Sequence, residues 1–246
     1  MPTEVLNTIY LACAFLGLFA LAEVIYYVFK PKAEYTRKLV HFGTGIITLL
    51  FPIYLTSHWS VLFLCGCFAL ILLVSLKFNL LKSINAIDRK SHGSISYPVS
   101  VYGCFLFYMF MANGNSHFTG KYFFFYLPIL TLAICDPIAA LIGKRWPYKK
   151  FKVGDGQKSV MGSFSFFISA LVLSVFSLCH FPAVDEMSFF LIDFTGCLVI
   201  AILATLAEAF SRKGFDNLSI PAAVIVGILF YKHFILGLPF TNGDFY

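Results

Sequence analysis

Four carboxylates lie inside long apolar segments of this chain: Glu23, Asp136, Asp193 and Glu208. Because a carboxylate in a membrane helix costs roughly a few kcal/mol, each of them is a hypothesis for a functional site. Pro137 follows Asp136 and removes one backbone donor, so a local break in the helix is expected there. Glu208 ends its segment, whereas we expect Asp193 to be solvated or snorkelling and Glu23 to have a structural partner.

A cationic cluster opens one apolar segment, in the stretch 37–45 (RKLVHFGTG). On a helix, Arg37 and His41 are i,i+4 neighbours and Lys38 and His41 are i,i+3 neighbours, so the three side chains share one face. This face predicts a site for phosphate. The alternative is a basic anchor at the membrane boundary, followed by small residues that pack helices together.

A second basic region surrounds Lys158, in the stretch 154–163 (GDGQKSVMGS). Glycines beside a lysine let backbone N–H groups and an ammonium group approach phosphate oxygens. The region is not a Walker A loop, because Gln157 separates Gly156 from Lys158. The residues predicted to bind nucleotide or phosphate are Arg37, Lys38, His41, Gly143, Lys144, Ser159, Gly162 and Asn217.

Hard oxygen ligands are concentrated in the hairpin 208–221, which contains Glu208, Asp216 and Asn217. Asp216 and Asn217 can instead cap the last helix, as such residues often do. The stretch 88–98 (DRKSHGSISYP) is left open between a site role for Gly93-Ser94 and an ordinary turn.

These groups are the ones that phosphoryl transfer requires, namely carboxylates for Mg²⁺, cations for phosphate oxygens and a positioned hydroxyl. Asp136, Glu208 and Asp216 are the predicted metal ligands. The predicted cations are Arg37, Lys38, Lys144 and Lys158.

Composition indicates that these groups are held in a membrane. Of the 246 residues, 59% are hydrophobic and 12% are charged, against about 25% charged in a typical soluble domain. A bilayer requires about 20 apolar residues per helix. By this length criterion the sequence predicts an all-α fold with about eight transmembrane helices, at 5–29, 39–56, 60–77, 97–112, 122–143, 160–180, 188–207 and 219–237.

The basic residues predict how these helices are oriented. Of the 18 Lys and Arg residues, all but Lys121 and Lys232 fall in the odd-numbered loops or at their helix ends. The positive-inside rule therefore places those loops in the cytoplasm and both termini on the other side. Residues 1–246 are expected to form one integral-membrane domain, because each loop is too short for a core of its own. Most of the seven cysteines lie in apolar runs and are expected to be small buried side chains rather than zinc ligands or disulfides.

The polar stretches, in this order, resemble the polyprenol kinase family, which comprises dolichol kinases, phytol kinases and CTP-dependent diacylglycerol kinases. The matching residues are the stretch 37–45, Gly93-Ser94 with Tyr97-Pro98, Asp136 with Ala139, Ala140 and Gly143, Lys158-Ser159 with Gly162-Ser163, and Glu208 with Asp216-Asn217 and Pro221. Many relatives have a glycine where this chain has Cys135.

The resemblance implies transfer of the γ-phosphate of CTP or a related nucleotide, such as ATP or UTP, with Mg²⁺, to a polyprenol, phytol-like or diacylglycerol hydroxyl at the cytoplasmic face. Asp136, Lys158 and Glu208 are then the expected catalytic residues, with Asp136 and Lys158 in the nucleotide–metal site. No nucleic-acid partner is expected, and the oligomeric state is left open.

Two other functions use a similar set of residues. A lipid-phosphate cytidylyltransferase requires the same CTP, Mg²⁺ and cations, although its Asp-Arg-containing C-terminal motif is not found in the expected place. A transporter could use Asp136 and Glu208 as ion sites, but the halves of the chain show no convincing repeat and the polar residues gather at one face.

Overall fold

The computed structural model describes residues 2–86, 93–112, 120–154, 156–180, 189–212 and 214–237. Most of these residues are helical. The elements are α1 (Pro2–Phe29), α2 (Ala33–Thr48), α3 (Phe51–Tyr54), α4 (His58–Lys77), α5 (Lys82–Asn85), α6 (Gly93–Ala112), α7 (Phe123–Leu130), α8 (Asp136–Arg145), β1 (Lys150–Val153), β2 (Gly156–Ser159), α9 (Val160–His180), α10 (Phe189–Phe210) and α11 (Asp216–Phe230).

Within these described ranges, seven helices are long and apolar enough to cross a membrane. They correspond to seven of the eight predicted spans, so the prediction of a helical membrane protein is confirmed at this level. Their large apolar side chains point outward in many places; Phe210 and Phe63, for example, are 71% and 64% exposed. Outward-facing side chains of this kind suit contact with lipid.

The remaining predicted span, 39–56, is the least regular in the structure. Its helix α2 begins six residues earlier than predicted, at Ala33, and ends at Thr48, while α3 continues the path over Phe51–Tyr54. Pro52 explains the interruption, because proline cannot donate to the carbonyl four residues before it. The segment runs antiparallel to α1: the Glu4 carboxylate accepts hydrogen bonds from Ser57 and Ser60 at one end.

Glu23 marks the other end of this antiparallel pair. Its carboxylate accepts the backbone N–H of Ser83, at 2.9 Å, and so fixes α5 against the end of α1. The predicted structural role of Glu23 is confirmed by this contact.

Two apolar cores share the bundle. One lies among α1, α3, α4 and α6, around Phe15, Phe51, Phe68 and Phe105. The other lies among α9, α10 and α11, around Phe166, Ala201 and Val224. Helix α7 contributes to both cores, so the segment that leads to Asp136 lies between them.

A π-helical turn, Thr131–Cys135, joins α7 to α8 directly before Asp136. Pro137 lacks the N–H that a regular helix requires, and the wider turn is how the chain accommodates this loss. The break that the sequence predicts near Asp136 is therefore present, as a bulge within one long helix.

A two-stranded antiparallel hairpin, β1–β2, links α8 to α9 and was not predicted. Lys150 pairs with Ser159 and Phe151 pairs with Lys158, so the hairpin brings Lys158 back beside the end of α8. The segment is rich in basic residues, and each strand has only four residues, which is too short for an alternating pattern to predict it.

Candidate active site

Lys38 on α2 forms an ion pair with Asp136 at the start of α8. The two side chains are 15% and 11% exposed, so the pair is almost buried. Nearly a hundred residues separate them in sequence, and their contact joins the two halves of the chain. Such a partner offsets the cost of burying a carboxylate at this depth.

His41 lies one turn after Lys38 and also faces Asp136. Its Nε2 is 3.8 Å from Asp136 Oδ2 and 3.1 Å from the carbonyl oxygen of Leu132. In the π-helical turn, the Leu132 carbonyl faces the nitrogen of Pro137, which has no hydrogen to donate. His41 satisfies that carbonyl instead, and because a carbonyl only accepts, Nε2 carries the proton in this bond.

A second ion pair joins Lys158, on β2, to Glu208 near the end of α10. Lys158 Nζ lies 2.6 Å from Glu208 Oε1 and also donates to the Glu208 carbonyl. It is 3.1 Å from the Ser211 hydroxyl, and Ser163 donates to Glu208 Oε2 at 3.2 Å. Both carboxylate oxygens of Glu208 are thus engaged, and the side chain is 9% exposed.

The two ion pairs lie on elements that contact one another. Ser159, next to Lys158, donates to the carbonyl of Gly143 in α8, the helix that Asp136 begins, and Asp216 begins α11 directly before Asn217. Asn217 donates its amide to the Gly93 carbonyl at 3.3 Å, which fixes the start of α11 against α6. Residues from five separate stretches therefore meet at one end of the bundle.

Several other predicted site residues take part in helix packing. A Cβ on Gly143 would lie 2.8 Å from Ser159 Oγ, and one on Gly162 would lie 3.1 Å from the Ala139 carbonyl. Ser159 Oγ donates to the Gly143 carbonyl and accepts from Gly162 N–H. These residues bring α8 and α9 close together; their predicted contact with phosphate stays a prediction.

Lys144 and Arg37 lie around the two ion pairs rather than in them. Lys144 forms an exposed ion pair with Glu34 in the first turn of α2. Arg37 is half-buried, one residue before Lys38. Residues 88–92, at the start of another predicted stretch, lie outside the described residues.

Asp193 requires a correction. It is buried, 8% exposed, and Oδ1 accepts the hydroxyl of Tyr231. The prediction that Asp193 is solvated or snorkelling was wrong. Its partner is Tyr231, 38 positions away in sequence, so local spacing gave no sign of the contact.

Within the described part of the chain, no group of three or more His, Cys, Asp or Glu side chains is arranged to hold a metal ion. Mg²⁺ is commonly bound by only one or two carboxylates together with substrate phosphates. Asp136 and Glu208 are each carboxylates of the kind that Mg²⁺ binds, whereas zinc prefers nitrogen and sulfur ligands.

The Leu132 carbonyl and the Ser211 hydroxyl were missed in the sequence, and Ser163 and Tyr97 were noted there without a role; the ring of Tyr97 meets His41 edge-on at 5.1 Å. The signal for the first was Pro137, five residues after Leu132. The others depend on how the helices are rotated, which no spacing rule determines.

Gly45 offers a test of how closely α2 must approach the π-helical turn. A Cβ at Gly45 would lie 2.3 Å from the Cβ of Ala133. We expect Gly45→Ala to lower the free energy of unfolding by about 1–3 kcal/mol through overpacking and to reduce activity, as α2 moves away from Asp136. Thermal unfolding in detergent measures the first effect.

The matched control is Gly103→Ala, because nothing lies within 4 Å of a Cβ at that position. Adding Ala133→Gly to Gly45→Ala should restore both stability and activity. If the double variant is no better than Gly45→Ala, the proposed contact is not the cause.

Comparison with known proteins yields one informative match. The phytol kinase of Synechocystis sp. is 30% identical to this chain over 213 residues, which make up 86% of this chain and 85% of that protein. The chain belongs to the polyprenol kinase family. The aligned region covers 86% of the chain, so the similarity to this polyprenol kinase extends over nearly all of the helices and is not limited to one polar stretch. No family model and no solved structure matches the chain.

Proposed function

We propose that this chain is a CTP-dependent kinase that phosphorylates the hydroxyl of a long-chain alcohol, with phytol-like and polyprenyl alcohols as the first candidates. The observation that carries the proposal is the meeting of two lysine–carboxylate pairs, Lys38–Asp136 and Lys158–Glu208, at one end of an apolar bundle. The similarity to a phytol kinase supports the choice of acceptor.

The proposed topology has eight crossings, with α2 and α3 together forming the second. Support comes from their antiparallel course beside α1, from Glu4 at one end to Glu23 at the other. The distribution of basic residues supports a cytoplasmic site and termini on the opposite side. A water-soluble nucleotide would then enter from the cytoplasm, and the alcohol from the bilayer.

In the proposed reaction, the alcohol oxygen forms a bond to the γ-phosphorus of the nucleotide. The bond from that phosphorus to the β–γ bridging oxygen breaks, the nucleoside diphosphate leaves, and the alcohol loses its proton. Lys38 and Lys158 are suited to bind phosphate oxygens, because an ammonium group is a compact donor on a flexible stem. Either carboxylate could accept the proton.

Asp136 and Glu208 are the residues that would hold Mg²⁺, with Asp216 nearby. The ion would neutralise charge on the phosphates during transfer. In the absence of nucleotide, the lysines balance these carboxylates. When the nucleotide binds, we expect each lysine to leave its carboxylate and bind a phosphate oxygen instead.

The test is incubation of purified protein, in lipid vesicles, with CTP labelled at the γ-phosphate and with phytol, a polyprenol or diacylglycerol. We expect the label to appear in the alcohol, and CTP to be a better donor than ATP or UTP. Removal of divalent cations with a chelator should abolish transfer.

Parallel reactions with CTP labelled in the cytidine ring separate the kinase from the cytidylyltransferase. With a lipid phosphate added to the vesicles, ring label retained on lipid, and γ-label released as pyrophosphate in the first reaction, would replace the proposed reaction with nucleotidyl transfer. Uptake of a solute by sealed vesicles without nucleotide consumption would point to a transporter.

A further inference from the structure

A cavity lies beside the site, deeper in the bundle, and is partly open to the surroundings. Its wall is almost entirely apolar and is contributed by α1, α2, α3, α4 and α6. Phe15, Phe68 and Val101 represent three of these helices. A cavity of this character suits a hydrocarbon chain.

One face of α2 leads from the ion pair to the cavity. Lys38 and His41 are three residues apart, and Thr44 and Thr48 continue at helical spacing along the same face. Thr44 and Thr48 line the cavity, but each hydroxyl donates to a backbone carbonyl of its own helix. This face therefore changes from charged to apolar as it enters the cavity.

Tyr97 connects the cavity with the reacting groups. Its ring lines the cavity and also meets the ring of His41, the neighbour of Asp136. Among the described residues, the buried Tyr97 hydroxyl makes no hydrogen bond of good geometry, although it interacts with the Thr44 hydroxyl on the same cavity wall. Buried hydroxyls usually have a well-formed hydrogen bond, because desolvation without one is costly.

We propose that this cavity holds the hydrocarbon chain of the acceptor alcohol, and that the Tyr97 hydroxyl binds the alcohol oxygen and directs it toward His41 and Asp136. This inference rests on the proposed kinase function and adds the acceptor-binding site to it. The alcohol group supplies a well-formed hydrogen bond to Tyr97, and the chain occupies the apolar space at the depth of the bilayer hydrocarbon.

The test uses a phytol analogue with a diazirine at the end of its chain, added to the full-length protein in phospholipid vesicles and activated by light. Cross-linked residues are identified by mass spectrometry. We expect labels on cavity-lining residues such as Phe15 and Phe68. Phytol should compete for labelling, whereas phytane, which lacks the hydroxyl, should compete poorly.

Two filling variants and two matched controls locate the binding site. Val101→Phe on α6 and Cys65→Leu on α4 add atoms inside the cavity, while Val99→Phe and Cys67→Leu make the same changes two residues away on the same helices. Val99 is 52% exposed on the outer surface. We expect each filling variant to raise the KM for phytol about tenfold, as loss of a well-packed chain contact would, and each control to leave it unchanged.

The Tyr97→Phe variant tests the hydroxyl separately. It removes only that group, so thermal stability should be retained, while kcat/KM for the alcohol falls about tenfold, as for the loss of one hydrogen bond to substrate. The KM for nucleotide should not change. A purely structural tyrosine would give normal kcat/KM in this variant.

The outcomes separate the two proposals. Labelling outside the cavity, or equal labelling in filling and control variants, would overturn the cavity assignment even if the protein is an active kinase. Labelling inside the cavity without phosphate transfer to any alcohol would overturn the kinase function and leave the cavity as an alcohol-binding site. Because Cys65→Leu is a small change on a different helix, misfolding of Val101→Phe alone does not remove the test.

Discussion

Replacing Asp136 by Asn is expected to reduce phosphoryl transfer by about a thousandfold, which is the scale of losing a principal electrostatic contact in a transition state. The amide keeps the shape of the side chain but removes the charge that would hold Mg²⁺. Lys38 then loses its counter-charge, although it lies near the start of α2 and can turn toward the boundary. The measurement is the initial rate of transfer from γ-labelled CTP to phytol.

Asp193→Asn is the matched control for this variant. Asp193 is equally buried in a membrane helix, but its partner is Tyr231 rather than a lysine of the site. We expect near-normal activity for Asp193→Asn and a folded, monodisperse protein for Asp136→Asn. Normal turnover in folded Asp136→Asn would remove Asp136 from the metal site.

Lys158→Met is expected to lower kcat/KM for the nucleotide by about a hundredfold or more, because an ammonium group on the transferred phosphate is lost. It should also lower stability by up to about 3 kcal/mol, since Glu208 is left buried without its cation. Lys152→Met is the matched control, because Lys152 is exposed on the other strand of the same hairpin.

The double variant Lys158→Met/Glu208→Gln separates stability from catalysis. Removal of both charges relieves the unpaired carboxylate, so the melting temperature should recover toward that of the unaltered protein. Activity should stay low. If activity recovers along with the melting temperature, the Lys158–Glu208 pair serves only to hold β2 against α10.

Much of the fold follows from the sequence because the bilayer imposes a length and an apolar composition on each crossing. Seven of the predicted spans are found as long apolar helices. The sequence also indicates that the Lys38–Asp136 and Lys158–Glu208 pairs lie toward the same end of the bundle, since the basic residues of the loops mark that end. Hydropathy did not define α2 equally well, because its polar residues form part of the site.

The pairing of the site residues could not be predicted in the same way. Depth in a membrane does not determine the rotation of a helix about its axis, so the sequence does not show which lysine forms an ion pair with Asp136. Contacts between side chains decide the choice: Gly45 lets α2 approach Ala133, and the hairpin carries Lys158 to Glu208. The same limit hid the contact of Asp193 with Tyr231.

The π-helical turn at Thr131–Cys135 makes the direction of Asp136 sensitive to the number of residues before it. A turn of this kind holds one residue more than an α-helical turn, and each residue rotates a helix by about 100°. Loss of a single codon between positions 131 and 135 would remove the extra residue, and in the resulting α-helix the ring of Pro137 would clash with the carbonyl four residues before it, next to the contacts that Asp136 makes with Lys38. Such a deletion would disturb the site while leaving every one of its charged side chains encoded.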